Sequence, residues 1–187
     1  MSGLPQTPEE AHFRHANIIR PDFCDRPFVD IAEHDEALIS NWNECVMPGD
    51  NVYHLGDFCL GAPQDAEKIF RRLNGNKHLI LGNHDKRGTI RRIPFAWVKD
   101  VYKLKLGPRH YIWLSHYAHC RWPHSHQGSG HLFGHSHGEF KGFGKSMDVG
   151  VDAWDYKPVH LDKVLKIMEK LDPTEHHAPR KGKKGHV

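Results

Sequence analysis

The sequence predicts an α/β fold of two packed sheets flanked by helices, on three observations. The first half alternates amphipathic helical patterns with short apolar runs, the signature of a parallel sheet with crossover helices. The second half changes to short alternating segments divided by Gly, Pro and polar loops, which reads as a hairpin followed by a meander. Finally, His, Asp and Asn recur just past the ends of the predicted strands, where open α/β sheets collect their ligands.

Each element has its own signal. Residues 1–9 hold Pro5 and Pro8 and no apolar run, so they read as coil. Proline donates no ladder hydrogen bond, so an interior strand ahead of His12 looks missing. From Asp30 to Val46 the residues Ile31, Leu38, Ile39, Trp42 and Val46 recur at mostly helical spacing, with acids near the start. Met47-Pro48-Gly49-Asp50 ends that helix, and Asn51–Leu55 is a strand closed by Gly56-Asp57. Pro63–Leu73 is a second amphipathic helix with proline in its first turn. Lys77–Leu81 is the next strand. Val98–Leu106 alternates apolar with Lys and Asp as one strand, and Arg109–Leu114 returns from it after Gly107-Pro108. His131–Gly134 and Ser146–Val151 are short strands, and Leu161–Leu171 is a closing helix. One domain is expected over residues 10–172, and 173–187 is expected to be a basic disordered tail.

A chain of 187 residues and 21.6 kDa is large enough to bury roughly 70% of its unfolded surface in one core. The net charge of +3 says little about partners, because Arg180, Lys181, Lys183 and Lys184 against Glu175 account for all of it. No apolar stretch approaches the ~20 residues of a membrane span, and no secretory leader is recognisable near the first residue. Cys24, Cys45, Cys59 and Cys120 form no Cys-x-x-Cys pair, which argues against a zinc ribbon or disulfide framework and suits the cytoplasm. The anomaly is eighteen histidines, and their placement matters more than their number.

The most informative stretch is His78–Asp85, His-Leu-Ile-Leu-Gly-Asn-His-Asp. It is an apolar strand, a glycine that permits a sharp turn, and then an amide, an imidazole and a carboxylate. Asp57, Asn83, His116, His135 and His137 all stand just past predicted strand ends, so they converge on one rim. His135 and His137 lie roughly 6.6 Å apart along an extended chain, which suits one ligand on each of two metals. Two-metal phosphoryl-transfer sites hold their ions ~3.5–4 Å apart, and Asp57 is the natural shared carboxylate. The mixed nitrogen and oxygen donors suit manganese, iron, zinc or nickel better than calcium and do not choose among the four; manganese is the one expected first.

Gly56-Asp57, Gly82-Asn83-His84-Asp85, Ser115-His116 and Gly134-His135-Ser136-His137 together resemble the motifs of the calcineurin-like metallophosphoesterases, in that family's order. The resemblance runs from His12 to about Leu161 and is strongest for the small single-domain bacterial and phage members, with His-Ala-Asn-Ile-Ile-Arg and Val-Gly-Val-Asp as further likeness. It implies an αββα sandwich of two mixed sheets. It also implies one metal on His12, Asp57 and His137, and another on Asp57, Asn83, His116 and His135. His84 is then the group that protonates the leaving oxygen or stabilises the transition state, with Asp85 orienting it. The implied reaction is hydrolysis of a phosphomonoester or phosphodiester by a hydroxide held between two divalent metals. Its substrate would be a phosphorylated small molecule or nucleotide, with nucleic acid a weaker fit and no membrane involved.

One motif departs from the family. In place of Asp-x-His-Phe-Gly-His the chain has Glu10-Ala11-His12-Phe13-Arg14-His15, so either Glu10 substitutes for the aspartate or the N-terminal strand is absent. That departure keeps a second reading open, a catalytically weak or silent scaffold of the same fold that binds a partner. Gly144-Lys145-Ser146 ends like a phosphate-binding loop, but the required first glycine falls on Glu139. Cys120 lies near His116 and His119, yet nothing distinguishes it from an ordinary thiol.

Overall fold

The computed structural model describes Gln6–Thr7 and residues 11–173. Its strands are β1 (Gln6–Thr7), β2 (Asn51–His54), β3 (Asn76–Ile80), β4 (Val98–Lys99), β5 (Val101–Lys105), β6 (Tyr111–Ser115), β7 (Gly130–Phe133), β8 (Ser146–Asp148) and β9 (Val159–His160). The α-helices are α1 (Ile31–Cys45), α2 (Pro63–Arg72), the single turn α3 (Arg87–Ile90) and α4 (Leu161–Met168). The strands form two sheets, one in the order β4-β3-β2-β1-β9 and the other β5-β6-β7-β8. The expected two sheets flanked by helices are what the chain builds.

The helices start where the sequence places them. Asp30 accepts from the Ala32 and Glu33 N–H groups, both at 2.8 Å, and so caps α1. Pro63 opens α2, where its missing N–H costs nothing. Leu38, Ile39 and Trp42 of α1 and Ala66, Ile69 and Phe70 of α2 pack on Val52 and Leu79 of the first sheet. The alternate residues of the same strands turn the other way. Ile80 meets Leu104, Ile112, Leu114 and Leu132 of the second sheet in a core that also takes Leu161, Val164 and Met168 of α4. On the far face of the second sheet, the loop after β6 covers His131 with Trp122, ring centroids 5.1 Å apart.

Two expectations are corrected. The interior place before His12 is filled: β1 pairs parallel with β2 (Gln6 with Val52) and antiparallel with β9 (Gln6 with His160, Thr7 with Val159). The sequence between Pro5 and Pro8 leaves only Gln6 and Thr7 with N–H groups, and two residues suffice to bridge both neighbours. The single strand expected over Val98–Leu106 is two strands in different sheets. β4 pairs with β3, β5 pairs with β6, and the chain changes sheet at Asp100. Alternation has the same period in both pieces, so the pattern could not reveal a change of partner. The expected basic tail, with 174–187, lies outside the described residues, as does Glu10. Among the described residues no helix is long and apolar enough to cross a membrane.

Buried histidines make the fold sensitive to acid. Burial pushes His54 down to about 3, helped by His116, and His131 down to about 3, helped by His119. Each is therefore neutral when folded, while its unfolded form titrates near 6.5. Their contribution is fully present above pH about 6.5 and is lost progressively as pH falls towards about 3, because the unfolded chain takes the protons. Each costs about 1.4 kcal/mol per pH unit across that window. Urea unfolding at several pH values should show His131→Phe reducing the slope of stability on pH by about that amount. An unchanged slope would mean that His131 is already protonated in the folded chain.

Candidate metal centre

Parallel pairing of β1 with β2, β2 with β3, β6 with β7 and β7 with β8 sends these strands' C-terminal ends to common rims. Asp57 follows β2, Asn83 and His84 follow β3, His116 follows β6 directly, and His135 and His137 follow β7. His12 reaches the same place on the segment that begins at Ala11. That segment runs beside the Asp57 loop through His12 N–H to Asp57 O (3.0 Å) and Phe13 N–H to Phe58 O (3.1 Å).

The backbone is bent hard at these points. His12, Asp57, His135 and His137 have φ of 49°, 55°, 64° and 48°, left-handed values that cost a residue with a Cβ and gather at functional sites. Two glycines let the loops close up. A Cβ on Gly56 would collide with His116 Nδ1, and one on Gly82 with Asp57 Oδ1.

Asp57 is buried between two imidazoles. Its Oδ2 lies 3.7 Å from His12 Nε2 and 3.5 Å from His116 Nε2, while its Oδ1 accepts the His84 N–H at 2.7 Å. Asp57, His116 and His135 each bring one donor atom within 4.8 Å of the others. On the His12 side, the His12 and His137 rings stand 5.0 Å apart. His84 is exposed over this group, its ring 5.9 Å from those of both His12 and His15. All six expected ligands are thus brought to one cluster, with His84 at its mouth.

These donors fit a cation. His12 Nε2 is buried and has no hydrogen-bond partner. Burial above all, then the charges of Arg26 and the neighbouring histidines, holds His12 well below its ordinary value. Burial also lowers His15, His116 and His135. Neutral imidazoles are the form that binds metals. The bond of His116 Nδ1 to the Leu55 carbonyl (2.8 Å) puts the proton on Nδ1. That leaves Nε2 facing Asn83 Oδ1 at 2.8 Å, lone pair to lone pair, which a shared cation satisfies.

Asp85 has a different part from the one expected. Its buried carboxylate accepts from the backbone N–H groups of Gly82 (2.8 Å), Asp57 (2.9 Å) and Phe58 (2.9 Å). It therefore pins the Asp57 and Asn83 loops to each other rather than orienting His84. Burial raises it to about 6 despite those bonds, with the Asp57 charge adding to the rise.

Sequence reasoning assigned no role to three residues here. His137 Nδ1 bonds Asp152 Oδ2 at 2.9 Å, and Arg26 grips Asp152 with two bonds of 2.7 Å. Burial alone would raise Asp152, but the bonds to His137 and Arg26 outweigh it and hold the carboxyl at about 2. Arg26 is itself fully buried and also binds the Ala11 carbonyl (3.0 Å) and His34 Nε2 (2.9 Å). Partners of this kind fix a ligand's tautomer and are worth 10–100-fold in metal affinity when removed. Asp152→Asn is therefore expected to weaken the ion on the His12 and His137 side by roughly that factor, read by metal titration. A loss confined to the His116 side would contradict it. The third residue, His15, has its Nδ1 3.3 Å from His12 Nδ1. Val-Gly-Val-Asp signalled Asp152 and the first motif signalled His15, but nothing local to Arg26 marked it.

No family model matches the chain. An uncharacterized protein of Methanocaldococcus jannaschii, MJ1445, is 37% identical over 165 residues, 86% of this chain and 89% of its own length. The chain belongs to the family of that archaeal protein. A protein of unknown function from Aquifex aeolicus, AQ665, shares the fold. It superposes with a TM-score of 0.70 at 23% identity, over 88% of this chain and 99% of its own. YfcE, a phosphoesterase from E. coli, superposes at only 0.43 with 16% identity, over 78% of this chain and 77% of its own, too slight a likeness to bear on function.

Proposed function

We propose that the protein is a divalent-metal-dependent phosphoesterase of the calcineurin-like type, with two ions sharing Asp57. The observation that carries this is Asp57 buried between His12 and His116, with the unpartnered His12 Nε2 aimed at it. His12, Asp57 and His137 would hold one ion, and Asp57, Asn83, His116 and His135 the other. Bound ions of this kind neutralise phosphoryl oxygens and bring the pKa of water towards neutrality. Manganese is the first metal to try.

The chain's own residues do the rest. Asp85 keeps the two loops in register, and Asp152, itself gripped by Arg26, holds the His137 ring through Nδ1. His84 stands exposed at the mouth, where it can give a proton to the departing oxygen. Its backbone N–H on Asp57 Oδ1 ties that position to the shared ligand. The silent-scaffold reading drew on the altered first motif; β1 fills the strand place ahead of His12, while Glu10 and Arg14 in place of the usual Asp and Gly keep that reading as the alternative.

The test is the purified protein with Mn²⁺, assayed against an aryl phosphomonoester and a bis-aryl phosphodiester. Release of the aryl alcohol from either, abolished by chelation and restored by metal, is expected. Metal bound stoichiometrically with neither ester cleaved would return the scaffold reading.

A further inference from the structure

Phe23 and Tyr117 are the two exposed aromatic rings among the described large hydrophobic residues, 55% and 49% accessible. The other exposed apolar residues, Val29, Met47, Val98 and Val101, are aliphatic and scattered singly, which is ordinary for a protein surface. The rings are not scattered. Phe23 meets His15 edge-on at 5.5 Å and lies 6.4 Å from His137. Tyr117 lies 4.5 Å from His135 and 4.9 Å from His116. One ring therefore flanks the His12 and His137 half of the centre, and the other flanks the His116 and His135 half.

Both rings stand on anchored backbone. Phe23 belongs to the turn after the 3₁₀ segment Ala16–Ile19, held by Phe23 N–H to Arg20 O (3.0 Å) and Asp25 N–H to Arg20 O (3.0 Å). Arg26 closes that turn onto Ile18 O (3.3 Å) and ties it to Asp152. Tyr117 directly follows His116, and its carbonyl accepts the Ser115 hydroxyl at 2.8 Å. Exposing two large rings to water is unfavourable unless something covers them, and the cations that the cluster between them would hold would supply the charge that an anion seeks.

We infer that the site is built for a phosphodiester carrying a planar ring on each side of its phosphorus, with Phe23 and Tyr117 as the two stacking platforms. The proposal rests on the phosphoesterase reading for where the phosphate sits. A monoester has one organic arm and can use only one of two platforms placed on opposite flanks. A diester has two arms. Stacking of a base on an aromatic side chain is worth about tenfold or more in affinity for each ring and is indifferent to sequence. The shared chemistry is a ring-flanked diester, whether a short single-stranded oligonucleotide or a bis-aryl ester.

Calorimetric titration of the full chain with Mn²⁺ tests this with three diesters. Adenylyl-3′,5′-adenosine carries two rings, adenosine 5′-phosphate methyl ester carries one, and dimethyl phosphate carries none. Affinity is expected to rise by about tenfold per ring. Phe23→Leu and Tyr117→Leu, which keep bulk but not the ring, are each expected to remove one step for the two-ring ligand. For the one-ring ligand, only one of the two variants should matter. Bis(4-nitrophenyl) phosphate in a fourth arm separates base recognition from ring recognition, and equal gains over dimethyl phosphate support the platforms. Equal affinities for all three diesters, or two-ring binding indifferent to both variants, would overturn the proposal. Chromatography of the same samples separates the two readings. Ring-dependent binding without cleavage keeps the platforms and sinks the phosphoesterase, whereas cleavage with ring-independent binding does the reverse.

Discussion

Asp57→Asn is expected to release both metal ions together and to lower turnover by roughly a thousandfold or more. One carboxylate stands between the two histidine groups, 3.7 Å from His12 Nε2 and 3.5 Å from His116 Nε2, so in the proposed two-ion arrangement its charge would serve both ions. Metal-supplied stabilisation of a phosphoryl transfer is worth several kcal/mol, and about 1.4 kcal/mol is a factor of ten in rate. The amide keeps the carbonyl that receives the His84 N–H, so the loop retains its shape and the loss is one of charge. His116→Ala should behave differently, weakening mainly the ion it shares with Asn83 and His135. Metal titrations on the two variants decide the matter, and equal, independent losses would remove the shared-carboxylate arrangement.

His84→Ala is expected to keep its metal while turnover falls by about 10²–10⁴, the range for losing a general acid. The ring is exposed beside the buried cluster, near His12 and His15 but outside the set of converging donors. Since Asp85 is committed to three backbone N–H groups, no carboxylate steers the His84 ring from that side. Turnover and metal content measured on the same samples separate the roles. A variant that loses metal but keeps its rate per bound ion would make His84 a ligand.

Much of the cluster was legible because strand ends are local signals. Gly56-Asp57, Asn83 and His116 sit where short apolar runs stop, and the helix–strand alternation announced the parallel pairing of β2 with β3, whereas the parallel pairing of β6, β7 and β8 lay where the pattern suggested a meander. What stayed hidden depended on contacts distant in sequence. Arg26 lies 126 residues from Asp152, and no periodicity near either predicts their pairing. Asp85 misled for a related reason, since adjacency to His84 suggested a partner while folding offered it the N–H groups of a loop 27 and 28 residues away. The N-terminal strand was missed because two residues between prolines carry no pattern, although two residues are enough to close the sheet. At Asp100 the alternation continued while the partner strand changed, and register is set by the partner.

Crystals grown with Mn²⁺ and measured at the manganese absorption edge test the central claim most directly. The account predicts two anomalous peaks about 3.5–4 Å apart, bridged by Asp57, one against His12 and His137 and the other against Asn83, His116 and His135. A single peak that does not touch Asp57, or none at this cluster while the protein binds manganese elsewhere, would contradict it.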